Sequence, residues 1–179
     1  DLENIINEAA LIASKNNNKQ VEPDDFERAR DNIILGGERK TLIFTDKEKK
    51  MTAYHEAGHS LLNLLLPETD PFHKVTIIPR GRALGVSWSL PERDKHSHTK
   101  SEMLSRMTVC FGGLLGEKLI FNEQTSGVSN DLQQASKLAR QMVRRFGMSN
   151  LGPIDYNTNQ EHPYLGRDIQ NAKEFSENT

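Results

Sequence analysis

The chain has 179 residues, 23 Lys and Arg against 25 Asp and Glu, a formal net charge of −2 and 35% hydrophobic residues. That length suits one domain or one domain with a piece of another, and the slightly acidic balance gives no field for gripping nucleic acid, so no such partner is expected. The single cysteine, Cys110, excludes a disulfide framework and a thiolate-built metal site, and the densest apolar run, Leu61 to Leu66 broken by Asn63, is far too short to span a membrane.

Leu2, Ile5, Ile6, Ala9 and Ala13 recur at helical spacing, and Asn16-Asn17-Asn18 closes that helix. Glu22-Pro23-Asp24-Asp25 opens a second helix that places Phe26, Ala29 and Ile33 on its buried face, and Gly36-Gly37 ends it. This pair has little apolar surface of its own and is expected to lean on a segment upstream. The sequence starts at Asp1 within this pattern and stops at Thr179 in a polar stretch, so a longer parent polypeptide is expected.

Thr45-Asp46-Lys47-Glu48 is a capping box whose helix can run to Pro67. Val75 to Ile78 then reads as a short strand ending in Pro79-Arg80-Gly81, and Val86 to Leu90 alternates with period two as a second. A further box, Thr99-Lys100-Ser101-Glu102, starts a helix bearing Leu104, Met107, Phe111, Leu114, Leu115 and Leu119. Gly112-Gly113 falls inside it, where a glycine pair more often admits a neighbouring backbone than performs chemistry. The loop from Gln124 to Asn130 leads to a last helix with Leu132, Ala135, Ala139, Met142, Val143 and Phe146. Residues beyond Gly152-Pro153 are polar, with no pattern that predicts structure. The fold class expected is mainly α with a small β element.

His55-Glu56-Ala57-Gly58-His59 fits H-E-x-x-H in the middle of the capped helix. Residues i and i+4 share a helical face, so both imidazoles can hold one zinc ion from the same side. Glu56 projects beside that face, where it can take a proton from a water acidified by the metal and pass it to a leaving amine. The pattern therefore describes metal-assisted amide hydrolysis. An apolar stripe of Met51, Tyr54, Gly58, Leu62 and Leu65 is expected, with the histidines at its margin. The extended pattern with glycine at 62 and histidine at 65 is excluded, since both positions are leucine. Candidates for a third ligand are Glu117, Asp131, His73, Glu102 and Glu123; spacing does not choose between Glu117 and Asp131, whose ordinary alternatives are an exposed helix edge and a first-turn carboxylate.

Across nearly the whole chain these residues resemble the FtsH-type AAA+ zinc proteases. Asp1 to Leu11 is similar to a stretch of the family's ATPase lid, Thr52-Ala53-Tyr54-His55-Glu56-Ala57-Gly58-His59 to its zinc helix, and Lys74 to Gly85 to the segment that follows. Thr125-Ser126-Gly127-Val128-Ser129-Asn130-Asp131 resembles the family's T-G-A-S-N-D stretch, with one extra residue and valine for alanine. Gly112-Gly113-Leu114-Leu115-Gly116-Glu117 departs from the usual G-G-R-x-A-E. The resemblance implies one zinc per chain held by His55, His59 and Asp131, with Glu56 as general base.

It also implies a division into the end of an ATPase lid (1–37), a linker (38–44), a zinc protease domain (45–155) and a polar segment (156–179). The parent would be a homohexamer that degrades unfolded polypeptides with ATP, anchored in a bacterial inner membrane with this part facing the cytoplasm, or in an organelle equivalent. No G-x-x-x-x-G-K-[ST] occurs in the chain, so ATP would act only through a module outside it. Gly85, Val86, Ser87 and Trp88 are candidates for binding substrate as an added strand, with a strand whose tryptophan merely packs as the alternative. Arg80 and Arg82 are expected on a solvated turn, His96 and His98 on a loop, and Arg140, Arg144 and Arg145 on a polar helix face. Cys110 is expected as a small core residue. The rival class, an interaction domain with a structural zinc, would need a fourth protein ligand to close the site.

Overall fold

The computed structural model describes residues 2–39, 41–81, 83–91 and 93–155, and Arg82 and the polar segment 156–179 lie outside them. The order is α1 (Leu2–Lys15), α2 (Pro23–Leu35), α3 (Asp46–Leu65), β1 (Phe72–Thr76), β2 (Val86–Ser89), α4 (Lys100–Cys110), α5 (Gly112–Phe121), a 3-10 turn (Ser126–Val128) and α6 (Ser129–Arg144). The architecture is mainly helical with one antiparallel hairpin.

Local sequence sets the helix starts. Thr45 accepts from the Glu48 N–H while the Glu48 carboxylate accepts from the Thr45 N–H at 2.8 Å, and Thr99 and Glu102 repeat the exchange ahead of α4. Each such cap contributes about 1 kcal/mol and fixes which residue begins the helical count. Through this phase Thr45 determines the face on which His55 and His59 emerge ten residues or more downstream. Asn17, in the left-handed region at φ 58°, ends α1.

Helix α3 is the axis of the fold. It packs against α5, α4 and both strands, while α1 pairs with α2 and α6 lies against α4. The α3–α5 crossing is made by backbone on backbone. A Cβ on Gly58 would fall 2.1 Å from the Gly112 carbonyl oxygen, and one on Gly116 would fall 2.4 Å from that of Tyr54. Gly112 thus admits a neighbouring backbone, but it does so at the start of a separate helix: the chain turns at Phe111, and the single long helix expected there is two. The break lets α5 change direction to meet α3 along its glycines.

Several burial expectations are corrected. The buried residues of α3 are Glu56 and Ser60, not an apolar stripe, and Tyr54 and Leu65 are exposed. Phe26 and Ile33 on α2 are exposed, while Asp25, Ala29 and Asp31 are buried there. Leu104, Leu115, Leu119 and Phe146 are likewise exposed, and Met103, Gly112, Gly113 and Glu117 form the inner side of α4 and α5. Close helix approach selects small and hydrogen-bonded groups for the seam and pushes large side chains to its flanks.

Strand β1 begins earlier than expected and stops at Thr76. Its register pairs Phe72 with Ser89, Lys74 with Trp88, Val75 with Ser87 and Thr76 with Val86, with an irregularity at His73. Arg80 is buried rather than solvated, because its guanidinium reaches Glu38 at 2.7 Å and Asp31 at 3.6 Å. Lys74 also meets Asp31, at 2.8 Å, so charged pairs join α2 to the hairpin.

Candidate metal centre

One turn of α3 separates His55 from His59, and their Nε2 atoms stand 3.1 Å apart. Oδ2 of Asp131, in the first turn of α6, lies 3.3 Å from each. A tetrahedral ion with bonds of about 2.0–2.1 Å has ligand–ligand edges of about 3.3–3.4 Å, so the three atoms match one face of such a polyhedron. Two imidazole nitrogens and one carboxylate oxygen form a donor set suited to zinc. Among the described residues the group has three members, the number of protein ligands usual in a catalytic zinc site.

The outer nitrogens are held as firmly as the inner ones. His55 Nδ1 donates to Glu117 Oε1 at 2.8 Å, and His59 Nδ1 donates to the Val109 carbonyl at 2.7 Å. With the proton of each neutral imidazole committed to Nδ1, each Nε2 is the nitrogen left to hold an ion beside Asp131. Glu117, 1% exposed, also accepts from the Thr125 N–H at 2.7 Å and the Thr125 hydroxyl at 3.0 Å. Thr125 precedes the 3-10 turn that delivers Asp131, so one carboxylate ties His55 to that loop. Sequence reasoning took Glu117 as a rival ligand or an exposed edge; it is neither, and the apolar helix around it was the signal that it must be paired. Gly113 also serves the site directly, since a Cβ there would sit 2.4 Å from His55 Cε1.

Electrostatics follow from this crowding. Burial works against charge on His55, but hydrogen bonds to Asp131 and Glu117 outweigh it and raise its pKa to about 9. Burial opposes charge on His59 too, and the bonds to Asp131 and the Val109 carbonyl again prevail, giving a raised pKa. For Asp131 burial acts upward, yet the two histidines hold its carboxyl down at about 2. Glu56 is raised, mainly by its own burial, and the neighbouring histidines only partly offset this. These groups therefore titrate as one proton-sharing cluster.

The other candidates sit elsewhere. His73 packs edge-on against Trp88 and contacts Arg30, Glu102 caps α4 and meets Lys95, and Glu123 is exposed near Lys47. His96 and His98 are exposed in a loop, Arg140, Arg144 and Arg145 are exposed on and just after α6, and Cys110 is half-buried. Gly85 lies against Glu56, where a Cβ would fall 2.8 Å from Oε1, and the Ser87 backbone two residues on favours the charged form of the Glu56 carboxylate. Trp88 lies under the Arg30 guanidinium, 5.3 Å from the ring centre.

Residues 42–179 match Peptidase family M41. The chain belongs to that family. It is 51% identical over its whole length to an ATP-dependent zinc metalloprotease FtsH of Myxococcus xanthus, 28% of whose length it covers. It is 49% identical over 99% of its length to the FtsH of Syntrophotalea carbinolica, covering 27% of that protein, and 46% identical to that of Acidobacterium capsulatum, covering 28%. The chain thus spans little more than a quarter of these relatives, and it carries the M41 peptidase unit with a histidine–histidine–aspartate centre for one zinc ion. Among the described residues no helix is long and apolar enough to cross a membrane.

Proposed function

We propose that the chain hydrolyses internal peptide bonds of unfolded polypeptides, with His55, His59 and Asp131 as zinc ligands and Glu56 as general base. When bound, zinc supplies Lewis acidity, which polarises a carbonyl and acidifies a water. Glu56 takes the proton of the attacking water and later hands it to the leaving amine, a role suited to a carboxylate whose basicity is raised by its burial. The histidines keep their Nδ1 protons on Glu117 and the Val109 carbonyl, which leaves each Nε2 to hold the ion. Gly85, Val86, Ser87 and Trp88 pass beside Glu56 and offer an edge on which an extended substrate can add as a strand.

The observation that carries this reading is the set of three donor atoms, 3.1–3.3 Å apart, beside a buried glutamate on the same helix. Within it, residues 1–37 are the end of an ATPase lid, 38–44 a linker and 45–155 the protease domain, with 156–179 leading onward. The relatives' description as ATP-dependent supports a parent chain that unfolds substrates before cleavage. That parent assembles as a homohexamer and is anchored in a bacterial inner membrane with this part facing the cytoplasm, or in an organelle equivalent. Glu56→Gln tests the chemical assignment: zinc content should stay at one per chain while cleavage of an unfolded protein disappears, and full activity in the variant would refute it.

A further inference from the structure

Helix α3 buries only Glu56 and Ser60, which lie one turn apart and face the hairpin. The Ser60 hydroxyl donates to the Glu56 carbonyl at 2.8 Å. Its single proton is therefore committed, and at the 3.0 Å contact with Ser87 Oγ it accepts, so the Ser87 hydroxyl is the donor. The Ser87 side chain thus fastens β2 to α3 one turn from the Glu56 side chain, and the nearby Ser87 main chain favours the charged form of the Glu56 carboxylate. Gly85 lets the strand come in this low, because a Cβ there would lie 2.7 Å from Glu56 Cγ.

From this we propose that Ser60 and Ser87 form a positioning latch, in which the hydroxyl pair holds strand β2 at the height where the Gly85 backbone packs on the Glu56 side chain and confines it. The inference rests on the assignment of Glu56 as general base and extends it to two residues that touch neither substrate nor metal through their side chains. A carboxylate side chain packed under a strand is confined to one rotamer, which fixes where its oxygens can meet a proton. Freed from the latch, β2 can lift away and Glu56 can swing, and catalytic groups lose rate steeply when displaced by as little as ~1 Å. Other side chains of the hairpin are tied to α2, Trp88 to Arg30 and Lys74 to Asp31.

The test uses the zinc-loaded full-length protein, an unfolded labelled protein as substrate, and the variants Ser60→Ala, Ser87→Ala, Ser87→Thr and the Ser60→Ala/Ser87→Ala pair. Each alanine variant should lower kcat about tenfold with KM within about twofold. The pair should be no worse than either alone, since both break one contact. Ser87→Thr, which keeps the hydroxyl on a residue suited to strands, should restore the rate. Exchange of the Ser87 amide hydrogen should speed up in Ser60→Ala, a readout independent of turnover. Unchanged kcat, additive losses, or unchanged exchange at Ser87 would overturn the latch. Glu56→Gln run alongside separates the two ideas: an active Glu56→Gln refutes the general base, whereas an inactive Glu56→Gln beside fully active serine variants refutes the latch alone.

Discussion

Glu117→Gln isolates what the buried carboxylate does for the metal centre. All three contacts of Glu117 come from donors: His55 Nδ1 and the Thr125 hydroxyl reach Oε1, and the Thr125 N–H reaches Oε2. Glutamine has the same shape but offers one oxygen and one NH2 group, so one set of donors must face another donor. If the NH2 group meets the Thr125 N–H, the backbone cannot adjust and the loop carrying Asp131 shifts. If it meets His55 Nδ1, that imidazole must move its proton to Nε2, the atom that should face the ion. Either outcome weakens zinc binding, and loss of such a supporting partner typically costs 10–100-fold in affinity, about 1.4–2.7 kcal/mol. Competition against a chelator of known affinity measures this directly, with thermal unfolding of the zinc-free forms as a control for general damage. Zinc affinity within about twofold of the parent would refute the reasoning, because a group with only a packing role tolerates an isosteric replacement.

Two other perturbations probe the frame and the charge state. Gly58→Ala puts a Cβ 2.1 Å from the Gly112 carbonyl, so α3 and α5 must part; the expected loss is about 3 kcal/mol, or ~6–12 °C in melting temperature, and a melting temperature within ~2 °C of the parent would count against the close crossing. In the metal-free chain, the His55 pKa raised from 6.5 to about 9 gives stability that is fully present below 6.5 and lost as pH rises through about 9. The Asp131 carboxyl, lowered from 3.8 to about 2, gives stability present above 3.8 and lost as pH falls through about 2. Zinc must displace the protons held by the two histidines, so its apparent affinity should climb with pH up to about 9, a trend read by chelator competition at successive pH values. An affinity already flat from about pH 7 upward would contradict the proton-sharing cluster.

Features set by neighbouring residues were legible in the sequence. The Thr45 and Thr99 boxes start α3 and α4 where their side chains can reach the third N–H, and i, i+4 spacing alone puts His55 and His59 on one face. Strand β2 was visible from its alternation. Features that need a second element were not. The break at Phe111 exists because Gly112 and Gly116 must meet the α3 backbone, and no local signal distinguishes that from a glycine tolerated inside one helix. Arg80 looked like a turn residue because Asp31 and Glu38, which bury it, are 49 and 42 positions away in the chain. Spacing left Glu117 and Asp131 as equals, and only the folded chain sends one to Nδ1 of His55 and the other to its Nε2.

The central claim is that His55, His59 and Asp131 together hold one ion beside Glu56. Zinc content of the purified protein, measured by elemental analysis beside Asp131→Asn and Glu56→Gln, addresses it directly. About one zinc per chain is expected in the parent and in Glu56→Gln, with a loss of about tenfold or more in affinity for Asp131→Asn, since a neutral amide is a poor substitute for the carboxylate. Full zinc affinity in Asp131→Asn, or a parent that takes up no zinc from a metal-replete solution, would contradict the account.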